Sequence, residues 1–304
     1  MRDLVMSFGA GRVVSEMVAS QEMVLAKPGA RERAQIGAAV AGTAVQLAGR
    51  DAHWMAEAAR CVAGQGAQVI DINMGCPARK VTSGQAGAAL MRVPDHALRL
   101  IEAVVAAVDL PVTLKMRLGW DDGDLNAVDL ARRAESAGVS MITVHGRTRC
   151  QFYRGQADWS AIGPVAEAVG IPVIANGDIH DADSARRALA LSGAAGVMIG
   201  RAARGRPWLL AQIARALFEC RSAAMPRVPT GADLLAMVGA HYEAMLGFYG
   251  RALGLRVARK HLGWYMETAR TPSELRRAVL TAPTPECVLR LLPHALAAPE
   301  AVAA

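Results

Sequence analysis

Seven short apolar runs, separated by alanine-rich stretches of helical length, constrain the fold of this chain more than any other feature. Strands that alternate with helices pair in parallel, which leaves a doubly wound sheet or a (β/α)8 barrel. The spacing of the runs suits the barrel, so we predict an α/β fold of the TIM type. The runs span residues 13–18, 44–49, 69–73, 112–119, 141–147, 173–179 and 196–202.

Polar residues recur at every second position inside these runs. In VTLKMRL (112–118) the apolar residues alternate with Thr113, Lys115 and Arg117. The outer face of a barrel strand packs on helices, so the polar set is expected to face the barrel axis. Active sites of such barrels lie at the carboxyl ends of the strands, where we predict a binding mouth. The same alternation places inside the barrel Gln46, Asp71, Asn73, Thr143, His145 and Arg147.

Glycine-containing turns follow the last two runs, as NGDI (176–179) and MIGRA (198–202). In TIM-type barrels such turns, together with helix N-termini, bind a phosphate. Lys115 inside the mouth would suit the electron-rich edge of a cofactor. The pattern predicts a phosphate-bearing cofactor across the mouth, and FMN is the natural candidate. A GxGxxG fingerprint after a strand is absent from the sequence, so a Rossmann unit is not expected.

Beyond about residue 222 the strand runs stop and helical patterns begin. We therefore predict a barrel over residues 1–222 and a small all-helical domain over residues 230–304. The net charge is +7, and residues 251–290 hold eight Arg and Lys against three Glu. Arg256, Arg259 and Lys260 have i, i+3, i+4 spacing, so they share a helix face that could bind phosphates, although a solvated helix surface explains the same charges.

The cysteine count and the hydropathy limit the cellular compartments in which the chain is expected to function. Its five cysteines form no CxxC pair, which fits a reducing compartment without disulfides and without a metal site. The longest stretch without a charged residue, 34–49, has 16 residues, whereas a membrane span needs about 20 apolar ones. We expect a cytoplasmic protein with no membrane segment.

The stretch DINMGCPARKV (71–81) allows two interpretations of Cys76. The strand ends at a turn and Cys76 is one more small buried residue, or Cys76 stands at the mouth as a proton donor. The rest of the chain bears on the choice. Five stretches of the chain resemble, in order and spacing, the tRNA-dihydrouridine synthases. They are DINMGCPARKV, VTLKMRLGW, ITVHGRT, VIANGDI and VMIGRAARGRPW. The likeness extends to RKHLGWY (259–265) and is closest to the bacterial B branch.

The resemblance implies an oxidoreductase that reduces tRNA uridines to 5,6-dihydrouridine, with NADPH as reductant. Cys76 would then protonate C5 of the base. Asn73, Arg117 and Arg147 could contact the uracil edge, while Arg256, Arg259 and Lys260 would bind the tRNA backbone. We expect a monomer. The residues that the resemblance assigns to FMN are Gln46, Lys115, His145, Asn176, Gly177, Asp178, Gly200 and Arg201.

The chain departs from the family at its start. Family members begin with a strand reading roughly Pro-Met-x-Gly, and the first run here, 13–18, corresponds to the second strand of the family. The first barrel strand is therefore expected to be missing. A start codon assigned too late, a tolerated truncation and a non-catalytic tRNA-binding relative all explain this. An FMN barrel that reduces a small molecule is a further alternative, although a basic helical domain has no use there.

Overall fold

A computed structural model describes residues 1–27, 43–218 and 227–297. Within them, seven strands form one sheet in chain order, each parallel to the next. Parallel strands in sequential order confirm the predicted α/β fold of the TIM-barrel type. The strands are Val18–Ala19 (β1), Ala44–Ala48 (β2), Val69–Met74 (β3), Val112–Arg117 (β4), Met141–His145 (β5), Val173–Asn176 (β6) and Gly196–Met198 (β7).

Helices follow the strands in alternation, as the alanine-rich stretches predict. Those before residue 200 are Arg2–Ser7 (α1), Ser20–Val24 (α2), Ala52–Gly64 (α3), Arg79–Thr82 (α4), Pro94–Val105 (α5), Ala127–Ser136 (α6), Gly163–Ala168 (α7) and Ala182–Ser192 (α8). Those after residue 200 are Leu209–Phe218 (α9), Gly231–Tyr249 (α10), Arg251–Thr268 (α11), Ser273–Thr281 (α12) and Pro285–Leu296 (α13). Short 3-10 turns span Gly87–Arg92, Ser160–Ile162 and Arg201–Ala203.

The apolar face of the strands packs on the helices in one core. Leu114 and Met116 of β4 are fully buried, together with Leu100 of α5 and Leu130 of α6. Alternate residues of a strand face opposite sides of the sheet, so burying this apolar set turns the polar set toward the other face. The strands thus have the orientation that the alternation predicts.

The first run forms a shorter strand than expected. Residues 13–18 were predicted to be a strand, yet β1 comprises only Val18–Ala19, preceded by an isolated parallel bridge from Val14 to Ala44. The hydroxyl oxygen of Ser15 accepts the Gln46 N–H at 2.9 Å. That donor is thereby taken from the backbone ladder, and regular pairing resumes only where Val18 meets Leu47.

The chain divides into two compact units, residues Ala10–Gly200 and residues Arg201–Ala304 together with Asp3–Gly9. We call them the barrel unit and the helical unit. The helical unit begins ahead of the boundary expected at 222–230, because Gly205 packs against the backbone of Trp264 on α11. The segment between the two predicted domains, 223–229, lies partly outside the described residues, and the assignment of separate functions to the two units stays a prediction.

The helical unit has its own apolar core. Val238 and Tyr242 of α10 pack with Leu262 and Met266 of α11 and with Leu292 of α13. The sequence predicts an all-helical domain here, with helical patterns over 237–250, 255–269 and 273–282. Helices α10, α11 and α12 match these three patterns, whereas no pattern indicates α13 individually. None of the helices in the described part of the chain is long and apolar enough to cross a membrane.

Candidate active site

Polar residues of neighbouring strands lie directly opposite one another on the face of the sheet that turns away from the helices. This arrangement arises because each strand alternates with period two and the strands are in register. The barrel residues predicted for the site are therefore brought together in layers. The opposed pairs are Gln46 with Asp71, Asn73 with Lys115, Arg117 with His145, and His145 with Asn176.

A buried chain of side-chain hydrogen bonds joins three of these strands. Thr113 Oγ1 donates to Oδ1 of Asp71 at 2.6 Å, and Gln46 Nε2 donates to Oδ2 of Asp71 at 2.6 Å. Asn73 Nδ2 in turn donates to Oε1 of Gln46 at 2.7 Å. Burial raises the pKa of Asp71, while the bonds from Gln46 and Thr113 act in the opposite direction. Each side chain in this network is fixed by its partners.

The network ends on the loop that carries Cys76. Oδ1 of Asn73 accepts the backbone N–H of Cys76 at 2.9 Å and that of Gly75 at 3.2 Å. The carbonyl of Cys76 accepts the N–H of Ala88 at 3.1 Å. Gly87 makes this approach possible, since its φ is +60° and a Cβ there would lie 2.8 Å from the Cys76 oxygen. The backbone of Cys76 is held on both sides, and its side chain is half-buried.

Arg117 binds the same loop from the neighbouring strand. It is 1% exposed, and its Nε donates to the carbonyl of Gly75 at 2.8 Å. Its Nη1 donates to the carbonyls of Thr148 and Phe152 at 2.9 and 3.0 Å. Burial lowers the pKa of Arg117 to about 10, so the guanidinium remains charged at neutral pH. Arg117 therefore ties the cysteine loop to the loop after β5.

Lys115 differs from its neighbours in making no hydrogen bond or ion pair with any residue that the structure describes. It stands between Asn73 and Thr143 in register, on the polar face of β4. Burial lowers the pKa of Lys115 to about 8, an effect that the carboxylate of Asp71 opposes. The ammonium group is still largely protonated at neutral pH and can serve an electron-rich ligand.

Arg147 lies fully buried beside His145 and is bonded on all sides. Its guanidinium forms an ion pair with Asp178 and donates to the carbonyls of Arg154 and Gly155 at 3.1 and 2.7 Å. Nη1 also lies 3.2 Å from Nε2 of His145. Since a guanidinium can only donate, we assign the imidazole proton to Nδ1. Burial and the surrounding cations lower the pKa of His145 to about 3, so this ring is neutral.

The turn after β6 brings the backbone close to that imidazole. Gly177 has φ +116°, and a Cβ there would lie 2.8 Å from Cδ2 of His145. Asp178 also has positive φ, +52°, and its carboxylate is bound by Arg147. Asn176 Nδ2 donates to the carbonyl of Met198 at 2.8 Å, which joins this turn to β7. The Asn-Gly-Asp turn is therefore a fixed backbone feature beside His145.

Of the remaining predicted residues, Gly200 ends the barrel unit and the other four belong to the helical unit. At Gly200 a Cβ would meet nothing within 4 Å, so its backbone is open to a ligand. Arg201 is exposed in the first turn of the helical unit, and Arg256, Arg259 and Lys260 are exposed on α11.

Tyr153 is a candidate site residue that the sequence patterns do not indicate. The ring of Tyr153 is half-exposed, and its centroid lies 6.3 Å from that of His145 and 5.7 Å from the Arg117 guanidinium carbon. It belongs to the stretch CQFYRG (150–155), which has no strand or helix periodicity. The aromatic pair Phe152-Tyr153, which begins four residues after the HGRT turn, is the signal that could have indicated it.

The sheet is of the TIM type, and the carboxyl edge of its strands carries a half-buried cysteine and a lysine that has no bonding partner among the described residues. These features define an α/β-barrel protein with an enzyme-like polar site. The described part of the chain contains no group of three or more His, Cys, Asp or Glu residues that lie close enough together to hold a metal ion.

The family model for dihydrouridine synthases (Dus) matches residues 1–298. The chain belongs to the dihydrouridine synthase family.

Curated relatives agree with this assignment. A probable tRNA-dihydrouridine synthase of Rhodobacter capsulatus is 63% identical over 302 residues, which cover 99% of this chain and 91% of that protein. A probable tRNA-dihydrouridine synthase of Rhizobium leguminosarum bv. phaseoli is 53% identical over 97% of this chain and 90% of its own length. The tRNA-dihydrouridine synthase B of Vibrio vulnificus is 43% identical over 91% of this chain and 85% of its own length.

Proposed function

We propose that this chain reduces uridines in tRNA to 5,6-dihydrouridine, with FMN as its prosthetic group and NADPH as the reductant. One observation carries the proposal. Asn73, whose side chain holds the Cys76 loop, is paired in register with Lys115, whose ammonium has no bonding partner among the described residues. The Cys76 thiol and an available cation thus belong to one mouth at the carboxyl edge of the barrel.

The residues at this mouth fit a flavin. Lys115 offers a cation to the electron-rich edge of an isoalloxazine ring, and the neutral His145 adds no second charge there. The close backbone approach at Gly177 leaves a flat surface without a side chain. Gly200 and Arg201, which follow the last strand, would serve the phosphate.

The other residues assigned to the flavin would act partly through neighbours. Gln46 uses one N–H and one lone pair on Asp71 and Asn73, so its amide keeps one N–H and one lone pair for a ligand. Asp178 is occupied by Arg147 and by the N–H of Ala157. Its contribution, like that of Asn176, is to fix the turn beside the ring.

The proposed chemistry reduces the C5–C6 double bond of uracil. FMN, when bound and reduced, would supply a hydride to C6. Cys76 donates the thiol proton to C5, which leaves a thiolate that water reprotonates. Hydride and proton must reach adjacent carbons in a fixed geometry, and the two backbone bonds that hold Cys76 supply that placement. A thiol suits this role since thiols retain their proton at neutral pH.

Arg117 and Arg147 are better suited to positioning than to direct contact with the base. The two guanidinium groups already donate five hydrogen bonds to backbone carbonyls of the mouth loops. We therefore assign Arg117 to the Cys76 loop and Arg147 to the Asn-Gly-Asp turn. Asn73 likewise acts on the base through the loop that it holds. Arg256, Arg259 and Lys260 would bind the phosphates of tRNA.

Two measurements test the proposal. The purified protein should show the visible absorption bands of a flavin, and incubation with NADPH and unmodified tRNA should produce dihydrouridine in the digested RNA. Flavin without dihydrouridine, together with reduction of a small enone or pyrimidine, would favour the small-molecule reductase. Binding of tRNA by a protein that takes up no flavin would favour a non-catalytic relative.

A further inference from the structure

A groove of about 470 Å³ lies within the helical unit, between residues 201–206 and helix α11. We call it the arginine groove. Three arginines and one acid contribute to its wall, so its charge is positive. The residues that define it are Arg201, Arg204, Arg206, Trp264, Glu267 and Thr268.

The shape of the groove is fixed by a backbone contact. Gly205 has φ +69°, and a Cβ there would overlap the carbonyl oxygen of Trp264 and lie 2.7 Å from Oγ1 of Thr268. Only glycine allows the segment to lie this close to α11. Arg204 and Arg206, on either side of Gly205, are therefore held beside Trp264.

The Arg204 side chain faces solvent and is not bonded within the described part of the protein. Its guanidinium carbon lies 4.8 Å from the centre of the Trp264 ring. Its side chain is exposed and makes no hydrogen bond or ion pair with the described residues. Among the described residues, the Arg206 guanidinium donates only from Nε, to the carbonyl of Ala202 at 3.2 Å. A guanidinium oriented on an aromatic ring, with its donors outward, suits phosphate and base recognition.

The groove continues along α11 as a basic stripe. Arg256, Lys260 and Trp264 follow one another at intervals of four residues, so they lie on the same side of the helix. Eight residues of helix span about 12 Å. A chain of several phosphates can therefore follow the stripe into the groove, whereas a single small anion would need only one end of it.

We propose that the arginine groove binds the sugar–phosphate backbone of tRNA, with Arg204 and Arg206 contacting phosphates and the Arg204–Trp264 pair offering a stacking surface. This inference rests on the proposed function, because it extends the tRNA surface from Arg256 and Lys260 to the groove. The monoester phosphate of the flavin is the other source of the same chemistry. The experiment below separates the two.

The test compares three full-length variants by fluorescence anisotropy with labelled tRNA over a range of salt concentrations. Arg204→Gln should weaken binding about fivefold to tenfold and lower the slope of log Kd against log salt by about 1, since one phosphate contact is lost. Arg204→Lys should keep the slope and lose part of the affinity. Arg277→Gln, on the exposed side of α12, removes the same charge outside the groove and should change neither quantity.

Bound flavin, measured by absorbance, distinguishes the remaining outcomes. Unchanged flavin with weaker tRNA binding in Arg204→Gln alone supports the proposal. Equal tRNA affinity in Arg204→Gln and Arg277→Gln overturns it. Loss of flavin with unchanged tRNA affinity overturns it as well and assigns the groove to the cofactor phosphate. If the unaltered protein forms no dihydrouridine in tRNA, the proposed function itself fails. That activity is measured separately from the tRNA affinity and bound flavin of the variants.

Discussion

Replacing Asn73 with alanine tests whether the buried hydrogen-bond chain positions Cys76. The change removes the acceptor for the Cys76 and Gly75 N–H groups and the donor to Gln46. Three buried bonds at about 1 kcal/mol each predict that the free energy of unfolding falls by about 3 kcal/mol. Two of those bonds fix the loop. Their loss should raise the population of the released loop about tenfold to thirtyfold, because 1.4 kcal/mol corresponds to a factor of ten.

Two assays follow from this estimate. Urea denaturation gives the change in unfolding free energy, and mass spectrometry of the Cys76 peptide gives the rate at which iodoacetamide alkylates that thiol. Alkylation should accelerate by about tenfold, because the loop opens more often, and dihydrouridine formation should slow by a similar factor. The peptide-level measurement separates Cys76 from the other cysteines.

Thr113→Val provides the matched control. It removes one bond from the far end of the same chain, the bond to Asp71, and leaves both loop bonds in place. The variant should lose about 1 kcal/mol of stability and alkylate at the unaltered rate. If Asn73→Ala alkylates no faster than Thr113→Val, or loses less than about 0.5 kcal/mol, Asn73 does not hold the loop.

Three further variants test other parts of the structure. Cys76→Ala should retain bound flavin, seen by absorbance, and lose most dihydrouridine formation in digested tRNA; full activity would refute the proton-donor role. Burial lowers the pKa of His241 to about 3, so the unfolded state binds more protons, and the stability that this residue contributes above pH 6.5 should fall by about 2 kcal/mol by pH 5. His241→Asn should remove that contribution from the pH dependence in denaturation titrations and leave those of His145 and His261, whose pKa values are also lowered by burial, whereas the exposed His294→Asn should leave the pH dependence unchanged. Gly177→Ala should lower the melting temperature and flavin retention more than Gly193→Ala, because both positions have positive φ but only Gly177 faces an imidazole.

The period of polar and apolar residues predicted most of the barrel, because burial of one strand face is a local property of the sequence. Each of the seven strands was located, and Lys115 and Arg117 were placed on the correct face. The extent of β1 was not predictable in this way. Its ladder is interrupted by the hydroxyl of Ser15, and a single side-chain bond to a neighbouring strand leaves no trace in periodicity.

Helix α13 was missed although the sequence carried signals for it. Thr284 caps the helix by accepting the N–H of Cys287 at 3.3 Å, Pro285 follows at the first helical position, and Val288 and Leu292 recur with helical spacing. Pro293 weighs against a helix at that point, since a proline inside a helix normally breaks it. Packing of Leu292 into the core of the helical unit outweighs that local cost.

Which polar residues remain available to a ligand could not be predicted from alternation. Alternation shows that a side chain faces the barrel axis, but its use depends on hydrogen-bond partners in loops that alternation does not describe. Arg117 and Arg147 were expected to contact the base, yet both are bonded to loop carbonyls that periodicity cannot locate. Lys115 faces the same interior and has no such partner among the described residues. Holding a half-buried ammonium without a hydrogen bond is costly, and a sequence retains that cost where a ligand relieves it, so Lys115 marks the position in the mouth where a bound group would contribute most.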